Sequence, residues 1–428
     1  MEMLLSGICS RINGGREIEM YTTIKNCRIC SSTDLVYVLS LGEQALTGVF
    51  PKTIDEPVST GELDVLWCRK CGLLQMKQSY DATEMYGDNY GYRSGLNQTM
   101  INHLTEKIRG LEKFAHLQSE DMVIDIGSND ATSLKAYTVR CEKIGIDPTG
   151  IKFKEYYTDD ISLIPDFFSA EKFKSRYGTQ KVKIVTSIAM FYDLESPGTF
   201  VREIESLLTD DGIWHFEQSY MPAMLRSTSY DMVCHEHLEF YSFTVVKNLL
   251  EQNGMRIVDV KTNTINGGSF AVTACKYNAS YKSNTPVINW MLAHESFLKL
   301  NTIDPYIEFE KNVRKHRIEL MGLIKALVAD DKLILGYGAS TKGNVMLQFC
   351  GITTKQIPYI AEVNADKFGC YTPGTHIPII PEEEAYAMKP DYFLVLPWPF
   401  KQNILTREKK YIESGGKFIF PLPEIEIV

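Results

Sequence analysis

Long apolar segments and an excess of basic residues are both missing from this sequence. No stretch approaches the roughly 20 apolar residues that a membrane-spanning helix requires. The region 8–20 cannot serve as a secretory signal, because it is interrupted by Arg11, Arg16, Glu17 and Glu19. Acidic residues outnumber basic ones, 54 to 45, and the net charge of −9 disfavours binding to nucleic-acid phosphates. We therefore expect a cytoplasmic protein without a membrane or nucleic-acid partner.

A dense set of cysteines, as found in small secreted proteins, is also missing. Ten cysteines occur in 428 residues, and six of them are scattered: Cys9, Cys141, Cys234, Cys275, Cys350 and Cys370. A disulfide framework would be denser and would lie in a shorter chain, so we expect a reducing compartment. The sequence also lacks internal repeats and low-complexity linkers. Its length and its 44% hydrophobic content predict two to four globular domains.

The remaining four cysteines form two CxxC pairs, Cys27-Arg-Ile-Cys30 and Cys68-Arg-Lys-Cys71. Each pair is typical of a tight turn that points two thiolates at one metal ion. Four thiolates make the tetrahedral site that Zn²⁺ prefers, and they leave no open position, so the metal is predicted to be structural. The alternatives are a redox CxxC pair and unrelated turns with free thiols.

The sequence pattern divides the chain into four parts. Residues 1–20 are poorly patterned, and residues 21–85 contain short β-like segments broken by turns. From residue 86 to 285 strands alternate with helices, which predicts a doubly wound, mostly parallel sheet. Residues 286–428 begin with a helical stretch and continue as a second α/β unit. The predicted fold class is therefore α/β, with an N-terminal zinc ribbon followed by two Rossmann-like sheets.

A cofactor site is predicted at the end of the first strand of the central sheet. This strand ends in a turn with one glycine and three polar residues, where a dinucleotide fold would have GxGxxG. The polar side chains suit the amino and carboxylate groups of S-adenosylmethionine, and an acid at the end of the next strand suits its ribose hydroxyls. The predicted cofactor residues are Asp125, Gly127, Ser128, Asn129, Asp130, Asp147, Phe168 and Ser187. The alternatives are a NAD-binding sheet and, for Phe168, simple core packing.

The richest cluster of titratable residues lies at 234–242, with the sequence Cys-His-Glu-His-Leu-Glu-Phe-Tyr-Ser. Methylation of carbon requires a carbanion, and removal of a proton next to a ketone gives an enolate. A histidine has the near-neutral pKa that this base needs, and Glu236 or Glu239 could orient it. The alternatives are a metal site, because His235 and His237 form an H-x-H pair, and a turn with a buried histidine.

Two further segments carry candidate substrate residues. Asn266 and Gly267 belong to an Asn-Gly-Gly-Ser turn that lets a ligand approach the backbone, although a hairpin explains the glycines as well. The segment 336–344 predicts a strand, a turn and a helix whose amides and lysine suit a diphosphate. Its candidate residues are Tyr337, Ser340, Lys342 and Asn344. An NAD site is the alternative, and the short glycine spacing and the lack of an obvious acid at the next strand argue against it.

Taken in order, these motifs resemble the zinc-binding C-methyltransferases that act at C3 of dTDP-4-keto-deoxysugars in antibiotic pathways. The resemblance covers residues 24–428 and adds further segments, which are 85–93, 349–352, 371–378 and 390–392. It implies a zinc domain at 21–85, a class I methyltransferase domain at 86–285 and a nucleotide-sugar-binding domain at 286–428. It also implies an enolate mechanism in which His237 is the base and Glu236 its partner, with Tyr90 and Tyr92 in the active site.

This chain departs from the family pattern at two positions. Cys234 stands where the family has a tyrosine, and Phe191 stands where the family has a histidine after the fourth strand. The sequence therefore leaves the auxiliary acid open, with His235 and Tyr241 as candidates. We expect S-adenosylmethionine and structural Zn²⁺ as cofactors, a nucleotide-sugar substrate, and a monomer or weak homo-oligomer. The alternative functions are an NAD-linked oxidoreductase, a non-catalytic zinc-ribbon scaffold and an RNA methyltransferase, which the acidic charge disfavours.

Overall fold

The computed structural model of the chain describes residues 9–13, 16–86 and 92–428. Its N-terminal part consists of short strands and one short helix: β1 (Cys9–Asn13), β2 (Arg16–Thr23), β3 (Leu35–Ala45), β4 (Thr60–Cys68), β5 (Leu74–Met76), β6 (Gln78–Tyr80) and α1 (Ala82–Met85). β1 pairs with β2, and β2 pairs with β6, both antiparallel. The sequence predicted an unpatterned tail over 1–20. The structure differs over the described residues of this range, because backbone hydrogen bonds, which carry no sequence pattern, join β1 to β2; β6 pairs with residues 21–23.

The central part alternates helices and strands: α2 (Gln98–Phe114), β7 (Met122–Ile126), α3 (Thr132–Lys135), β8 (Glu142–Ile146), β9 (Ile161–Ile164), α4 (Ala170–Tyr177), β10 (Val182–Ile188), α5 (Pro197–Leu207), β11 (Leu208–Ser219), α6 (Met221–Arg226), β12 (Glu239–Phe240), α7 (Phe243–Gln252), β13 (Met255–Asn263) and β14 (Ser269–Lys276). Its sheet has the order β13-β14-β11-β10-β7-β8-β9. The strands from β11 to β9 are parallel, and β14 and β13 extend the sheet in antiparallel orientation. The predicted doubly wound, mostly parallel sheet is therefore confirmed.

The C-terminal part contains a second sheet: α8 (Thr285–Phe297), α9 (Asp304–Ala329), β15 (Ile334–Tyr337), α10 (Thr341–Cys350), β16 (Ile360–Glu362), β17 (Ile379–Pro381), α11 (Glu382–Ala387), β18 (Tyr392–Val395), α12 (Lys401–Arg407), α13 (Lys409–Glu413), β19 (Lys417–Phe420) and β20 (Glu426–Ile427). The sheet order is β17-β16-β15-β18-β19-β20, and all of these pairs except the last are parallel. This is the predicted second Rossmann-like unit. None of the helices in the described part of the chain combines the length and the apolar character that crossing a bilayer requires.

A large apolar core runs through all three parts of the molecule. One buried cluster contains Leu39 and Val65 from the N-terminal strands, Val233 and Leu238 from the segment before β12, and Val345 from α10. β12 also pairs with β5, so the N-terminal sheet has the order β12-β5-β4-β3. The segment that precedes β12 is therefore packed between the N-terminal sheet and the C-terminal unit, where it can meet side chains from both.

Glu295 in α8 is a buried carboxylate that holds the beginning of α7. Its oxygens accept hydrogen bonds from the Tyr220 hydroxyl at 2.8 Å, the backbone nitrogens of Phe243 and Thr244 at 2.6 and 2.8 Å, and the Thr244 hydroxyl at 2.5 Å. Because these buried donors would lose their acceptor, we expect Glu295→Ala to lower the free energy of unfolding by about 3 kcal/mol. Urea denaturation measures this change. The control Glu310→Ala breaks an i,i+4 surface ion pair and should cost under about 0.5 kcal/mol; equal losses would contradict the prediction.

Candidate active site and zinc centre

The four cysteines of the CxxC pairs meet at one end of the N-terminal sheet. Their Sγ atoms all lie within 4.8 Å of one another, with 3.5 Å between Cys27 and Cys71 and 3.5 Å between Cys30 and Cys68. A tetrahedral zinc ion with Zn–S bonds of about 2.3 Å needs sulfur atoms about 3.8 Å apart. The cluster therefore fits the ion with little adjustment, and its four sulfurs leave no position for a reacting water.

The cysteine cluster is connected directly to the segment that contains the predicted base. β5 follows Cys71 and pairs with β12, which follows His237. Arg28 lies inside the first CxxC pair, is almost fully buried, and donates a hydrogen bond to the Met76 carbonyl at 2.5 Å. Its guanidinium also lies 3.9 Å from the carboxylate of Glu239. Contacts around the cysteine cluster therefore hold the strand that follows the segment of His237.

The predicted cofactor turn lies at the carboxyl end of β7. Gly127 and Asn129 adopt φ angles of 75° and 49°, which bring the chain sharply out of the strand. Asp147, at the end of β8, closes the turn. One of its carboxylate oxygens accepts from the Asn129 nitrogen at 2.8 Å, and the other accepts from the nitrogen and hydroxyl of Thr149 at 2.6 Å each. The structure thus brings the predicted acid and the predicted turn together.

The segment 92–95 lies against this turn. The backbone nitrogens of Ser94 and Gly95 donate to the side-chain oxygens of Asn129 and Asp130 at 3.0 and 2.9 Å. A Cβ atom at Gly95 would clash with the Asp130 carboxylate, so a glycine is needed for this close approach. Asn129 and Asp130, both predicted to bind the cofactor, therefore also hold the residues that follow the tyrosine-containing segment 85–93.

The predicted tyrosines of this segment have different outcomes. Tyr90 lies outside the described residues. Tyr92 is 49% exposed, and its carbonyl accepts a hydrogen bond from the Asn129 amide at 3.2 Å, which places it beside the cofactor turn. Sequence reasoning missed Tyr157, whose hydroxyl lies 2.7 Å from that of Ser128. No pattern marks Tyr157, because it follows a short irregular stretch after β8.

Three other predicted cofactor residues contact neighbouring side chains, two of them within the sheet and Phe168 after β9. Asp125 accepts a hydrogen bond at 2.5 Å from a threonine hydroxyl on β10, and burial raises the pKa of Asp125 to about 7. Ser187 accepts from the indole nitrogen of Trp214 at 2.9 Å. Phe168 packs edge to face against Phe200, with ring centroids 5.1 Å apart, which is the core-packing alternative. Each of the three side chains has a partner within the protein, and their contact with the cofactor stays a prediction.

His237 is oriented by a backbone carbonyl. Its Nδ1 lies 2.7 Å from the Met232 oxygen, and its ring lies edge-on to that of Tyr192 with centroids 4.5 Å apart. A carbonyl can only accept, so Nδ1 carries the proton and Nε2 keeps its lone pair. Burial and, secondarily, the positive charge of Lys342 lower the pKa of His237 to about 3. His237 is therefore a neutral imidazole whose Nε2 can accept a proton.

Glu236 is not the group that orients His237 in this structure. The predicted carboxylate partner is replaced by the Met232 carbonyl, because the Glu236 side chain turns towards the N-terminal part. Its carboxylate lies against Gly48, where any Cβ atom would clash with it. Burial raises the pKa of Glu236. Its Oε2 is buried and has no hydrogen-bond partner among the described residues, so Glu236 is a second buried acid beside the loop.

His235 points to the opposite side of the loop from His237. Its Nε2 lies 3.2 Å from the Gln44 carbonyl, and its ring meets the edge of the Tyr80 ring at 4.7 Å. The structure therefore separates the two histidines of the H-x-H pair. Apart from the four cysteines, the described residues contain no group of three or more potential ligands close enough to hold a metal. The predicted catalytic role of His235 and the alternative metal site both lack the necessary geometry.

The N-terminal end of α10 reaches the same loop. Ser340 caps this helix by accepting from the Gly343 nitrogen at 3.1 Å. Lys342 is half-buried; burial lowers its pKa, and the nearby Asp231 carboxylate opposes that shift. Asp231 accepts a hydrogen bond from the indole nitrogen of Trp398 at 2.8 Å. A lysine, an acid and an indole thus line the side of the loop that faces the C-terminal unit.

Asn266 and Gly267 lie where the central sheet meets the C-terminal unit. Asn266 has a φ angle of 55°, and a Cβ atom at Gly267 would lie 2.9 Å from the ring of Trp398. The glycine is required here for packing of the turn against the indole. This turn therefore reaches the indole that binds Asp231, and binding of substrate by Asn266 and Gly267 stays a prediction.

Tyr337 and Asn344 are buried and hydrogen-bonded, Tyr337 within the C-terminal part and Asn344 to the N-terminal part. Tyr337 is 3% exposed in β15 and donates to the Glu408 carboxylate at 2.8 Å. Asn344 is fully buried in α10, and its amide donates to the Thr47 carbonyl at 2.8 Å. Both were predicted to bind substrate because they belong to the strand-turn-helix motif. In the structure, both side chains are hydrogen-bonded within the protein, and a role in binding substrate stays a prediction.

The C-terminal sheet does carry an acid after the strand that neighbours β15. The sequence analysis found no such residue, but Glu362 ends β16 and accepts from the Ala339 nitrogen at 2.8 Å. Its other oxygen accepts from the nitrogens of Val363 and Asn364 at 2.8 and 2.9 Å. This corrects one argument made against an NAD site. The carboxylate is, however, already bound to three backbone donors, which is a structural role for it.

Asp193 is the acid that sequence reasoning missed. Phe191, the position compared with the family, is fully buried and stacks on Tyr241 with centroids 5.2 Å apart. Tyr241 is therefore part of the core as well, and not an exposed auxiliary group. Two residues after Phe191, the carboxylate of Asp193 accepts from the Tyr86 hydroxyl at 2.8 Å. No periodic pattern marks this irregular turn after β10, so only the folded chain reveals which side chain faces the loop.

Known proteins match this chain over nearly its whole length. A family profile described as "C-methyltransferase C-terminal domain" matches residues 264–423, and one described as "Putative zinc binding domain" matches residues 27–86. The C-methyltransferase NovU of Streptomyces niveus is 30% identical over 413 residues, which are 95% of this chain and 97% of NovU.

Two solved structures were also compared with the chain. An S-adenosylmethionine-dependent methyltransferase from Clostridium acetobutylicum is 9% identical, covers 41% of this chain and 92% of its own, and gives a TM-score of 0.32. Magnesium protoporphyrin IX methyltransferase from Synechocystis is 13% identical, with corresponding coverages of 45% and 91% and a TM-score of 0.32. The family assignment depends on the sequence match to NovU, and by that match this chain belongs to the C-methyltransferase family.

Proposed function

We propose that this chain transfers a methyl group from S-adenosylmethionine to C3, next to the ketone, of a nucleotide-activated 4-keto-deoxyhexose, through an enolate. The observation that carries the proposal is the state of His237. A neutral imidazole with an available Nε2 lies in the loop between the central sheet and the Lys342 end of α10. Family membership supports methylation of carbon, and such methylation next to a ketone needs a base. The pKa of about 3 is lower than the near-neutral value expected for this base, because His237 is buried beside Lys342.

The cofactor turn fits S-adenosylmethionine better than it fits a dinucleotide. Asp130 places a carboxylate at the turn, where it would repel a pyrophosphate and attract a cationic sulfonium or ammonium group, while Asp147 suits the ribose hydroxyls. The residues that would hold the cofactor are Ser128, Asn129, Asp130 and Asp147. S-adenosylmethionine supplies an electrophilic methyl group when bound. The side chains around it serve to bind and orient it.

A diphosphate is proposed to bind where α10 begins. The backbone amides after the Ser340 cap and the ammonium group of Lys342 would both attract its negative charge. Such an anion would offset the positive charge of Lys342, which is one cause of the low pKa of His237. Substrate binding would then make His237 a stronger base at the moment when it is needed.

In the proposed mechanism His237 removes one proton and the chain stabilises the charge that results. The proton moves from the sugar carbon to Nε2, while Nδ1–H keeps its bond to the Met232 carbonyl. The electron pair of the C–H bond enters a carbon–carbon double bond, and negative charge moves to the ketone oxygen, which requires a hydrogen-bond donor. With the cofactor bound, the carbon would take the methyl group in line as the sulfonium S–CH3 bond breaks and S-adenosylhomocysteine leaves. The ketone would be restored, and His237 would release its proton to solvent.

Calorimetry and a methylation assay test the proposal together. We expect the zinc-loaded protein to bind S-adenosylmethionine and one nucleoside diphosphate with Kd values of about 10 μM. We also expect dTDP-4-keto-6-deoxyglucose to gain one methyl group, measured by mass spectrometry, with NMR to locate the carbon. A folded, zinc-loaded protein that binds neither the cofactor nor any diphosphate would overturn the proposal. NAD in the ligand panel tests the oxidoreductase alternative.

Asp147→Ala is expected to weaken binding of S-adenosylmethionine by about 10- to 100-fold, because hydrogen bonds to a charged carboxylate contribute about 1.5–3 kcal/mol. The substitution removes the acceptor for the backbone nitrogen of Asn129 as well as the proposed acceptor for the ribose hydroxyls. Calorimetric Kd values measure the effect. Asp166→Ala, which removes a half-exposed acid paired with Lys172, is the control. An unchanged Kd for the Asp147 variant would place the cofactor elsewhere.

A further inference from the structure

We propose that Asp193 is a catalytic residue: its carboxylic acid donates a hydrogen bond to the ketone oxygen of the substrate and stabilises the enolate that His237 creates. This inference rests on the proposed function and supplies the donor that the mechanism requires. It also accounts for the departure at Phe191, because the side chain that faces the loop belongs to the residue two positions later.

Asp193 is held in a fixed position relative to the loop of His237. The carbonyl of the preceding residue, Tyr192, accepts hydrogen bonds from the backbone nitrogens of Leu238 and Glu239 at 2.8 and 3.0 Å. The nitrogen of Asp193 itself donates to the Met190 carbonyl at 3.1 Å, which closes a tight turn after β10. The turn that carries the acid and the loop that carries the base therefore form one hydrogen-bonded unit.

One oxygen of the Asp193 carboxyl is held in place, and the other is available. Oδ2 accepts a hydrogen bond from the Tyr86 hydroxyl at 2.8 Å. Oδ1 is buried and has no hydrogen-bond partner among the described residues. Buried polar atoms in folded proteins nearly always have a partner, so an unpaired oxygen beside a catalytic loop indicates a position for a ligand atom.

The surroundings of Asp193 favour the neutral acid over the carboxylate. The titratable groups that face it are the Tyr86 hydroxyl, the carboxyls of Glu236 and Glu239, and the Cys234 thiol. Burial raises the pKa of Asp193 well above its usual range, and the negative charge of Glu236 adds to this effect. The hydrogen bond from Tyr86 opposes the shift but is outweighed. A carboxylic acid kept neutral by an apolar site can donate to an enolate oxygen at neutral pH.

The proton balance of the step is complete. As the C–H electron pair moves into the enolate, the proton on Oδ1 of Asp193 is shared with the oxygen that gains the negative charge. When the carbon bonds to the methyl group, the ketone is restored and this proton returns fully to Asp193. His237 alone carries away the proton from carbon, so Asp193 begins and ends each turnover in the same state.

Infrared difference spectroscopy tests the protonation of Asp193 without any substrate. The spectrum of Asp193→Asn is subtracted from that of the wild-type protein at neutral pH in D₂O. We expect the difference to contain the carbonyl stretch of a neutral carboxylic acid. A difference that contains only carboxylate bands would overturn the proposal, because an ionised Asp193 cannot donate.

Kinetics with S-adenosylmethionine and dTDP-4-keto-6-deoxyglucose test the role. We expect Asp193→Ala to lower kcat by about 10²- to 10³-fold with little change in KM, because the donor acts mainly in the transition state. In the wild-type protein, ionisation of Asp193 at high pH should lower the rate. Asp193→Asn keeps a donor and the same shape but cannot ionise, so it should retain more kcat than Asp193→Ala and should not show this decrease. The control is Asp211→Asn. Asp211 lies near the start of β11 and forms an ion pair with Lys183, so this change should leave kcat unchanged.

A kcat for Asp193→Ala within about threefold of the wild-type value would overturn the role. If the alanine variant does not fold, the isosteric asparagine variant decides the question through its pH profile. Failure of the wild-type protein to methylate this keto-sugar counts against the proposed function. The infrared measurement then still decides the protonation of Asp193.

Discussion

His237→Ala is expected to lower kcat for methylation by about 10²- to 10⁴-fold and to abolish exchange of the proton next to the ketone, because the substitution removes the proposed base. The exchange is measured by incubating dTDP-4-keto-6-deoxyglucose with the protein in D₂O, without a methyl donor, and recording deuterium uptake. Binding of S-adenosylmethionine should not change, because the cofactor turn lies on other residues. A His237→Ala protein that exchanges this proton at the wild-type rate would falsify the assignment.

The protonation of His237 gives a further test of the same assignment. Burial and the charge of Lys342 lower its pKa to about 3, so His237 is unprotonated in the free enzyme throughout the neutral range. A base with a lowered pKa loses activity only when the pH falls to that pKa. Protonation of His237 should therefore cause no decrease in kcat/KM between about pH 8 and about pH 5.

The matched control for His237→Ala is His294→Ala, which removes a histidine from a surface stack with Trp290.

Cys71→Ser is expected to lower the zinc content below one ion per chain and the Tm by about 10 °C or more, because structural zinc contributes several kcal/mol to folding. The loss should extend to activity. β5 pairs with β12 directly after the catalytic loop, and Arg28 of the first CxxC pair contacts Glu239. Release of the metal would therefore loosen the strand that positions His237. Elemental analysis, thermal unfolding and kcat measure the three effects.

Cys141→Ser provides the matched control for the zinc prediction. Cys141 is a partly buried cysteine beside a separate apolar cluster of the central part, far in sequence from the zinc ligands. Its substitution should leave the zinc content and kcat unchanged. A Cys71→Ser protein with full zinc content and wild-type Tm would show that the four sulfurs do not form the site.

Local sequence pattern was sufficient for those features that depend on neighbouring residues. The paired CxxC motifs predicted the cluster because each pair is a self-contained turn. The strand β7 and its glycine turn were predicted because an apolar run that ends in glycine needs no distant partner to be recognised. For the same reason, the alternation of strands and helices was enough to predict both Rossmann-like sheets.

The assignment of individual site residues could not be made from pattern alone. His235 and His237 are two positions apart in an irregular loop, where no periodicity tells which side a residue faces. The same holds for Phe191, which enters the core, and Asp193, which faces the loop. Asn344 shares a motif with Lys342, yet its amide binds the Thr47 carbonyl, 297 residues away.

The sequence by itself therefore determined the fold class and the four sulfurs of the metal site, because each of these follows from short-range spacing; the family followed from the order of its motifs along the chain. Only the tertiary structure decided which groups meet at the loop. The contacts that matter join distant residues: Tyr86 reaches Asp193 across 107 positions, and Trp398 reaches Asp231 across 167. Such contacts depend on how three parts of the chain pack around one loop, and packing of that kind leaves no periodic signal in any single segment.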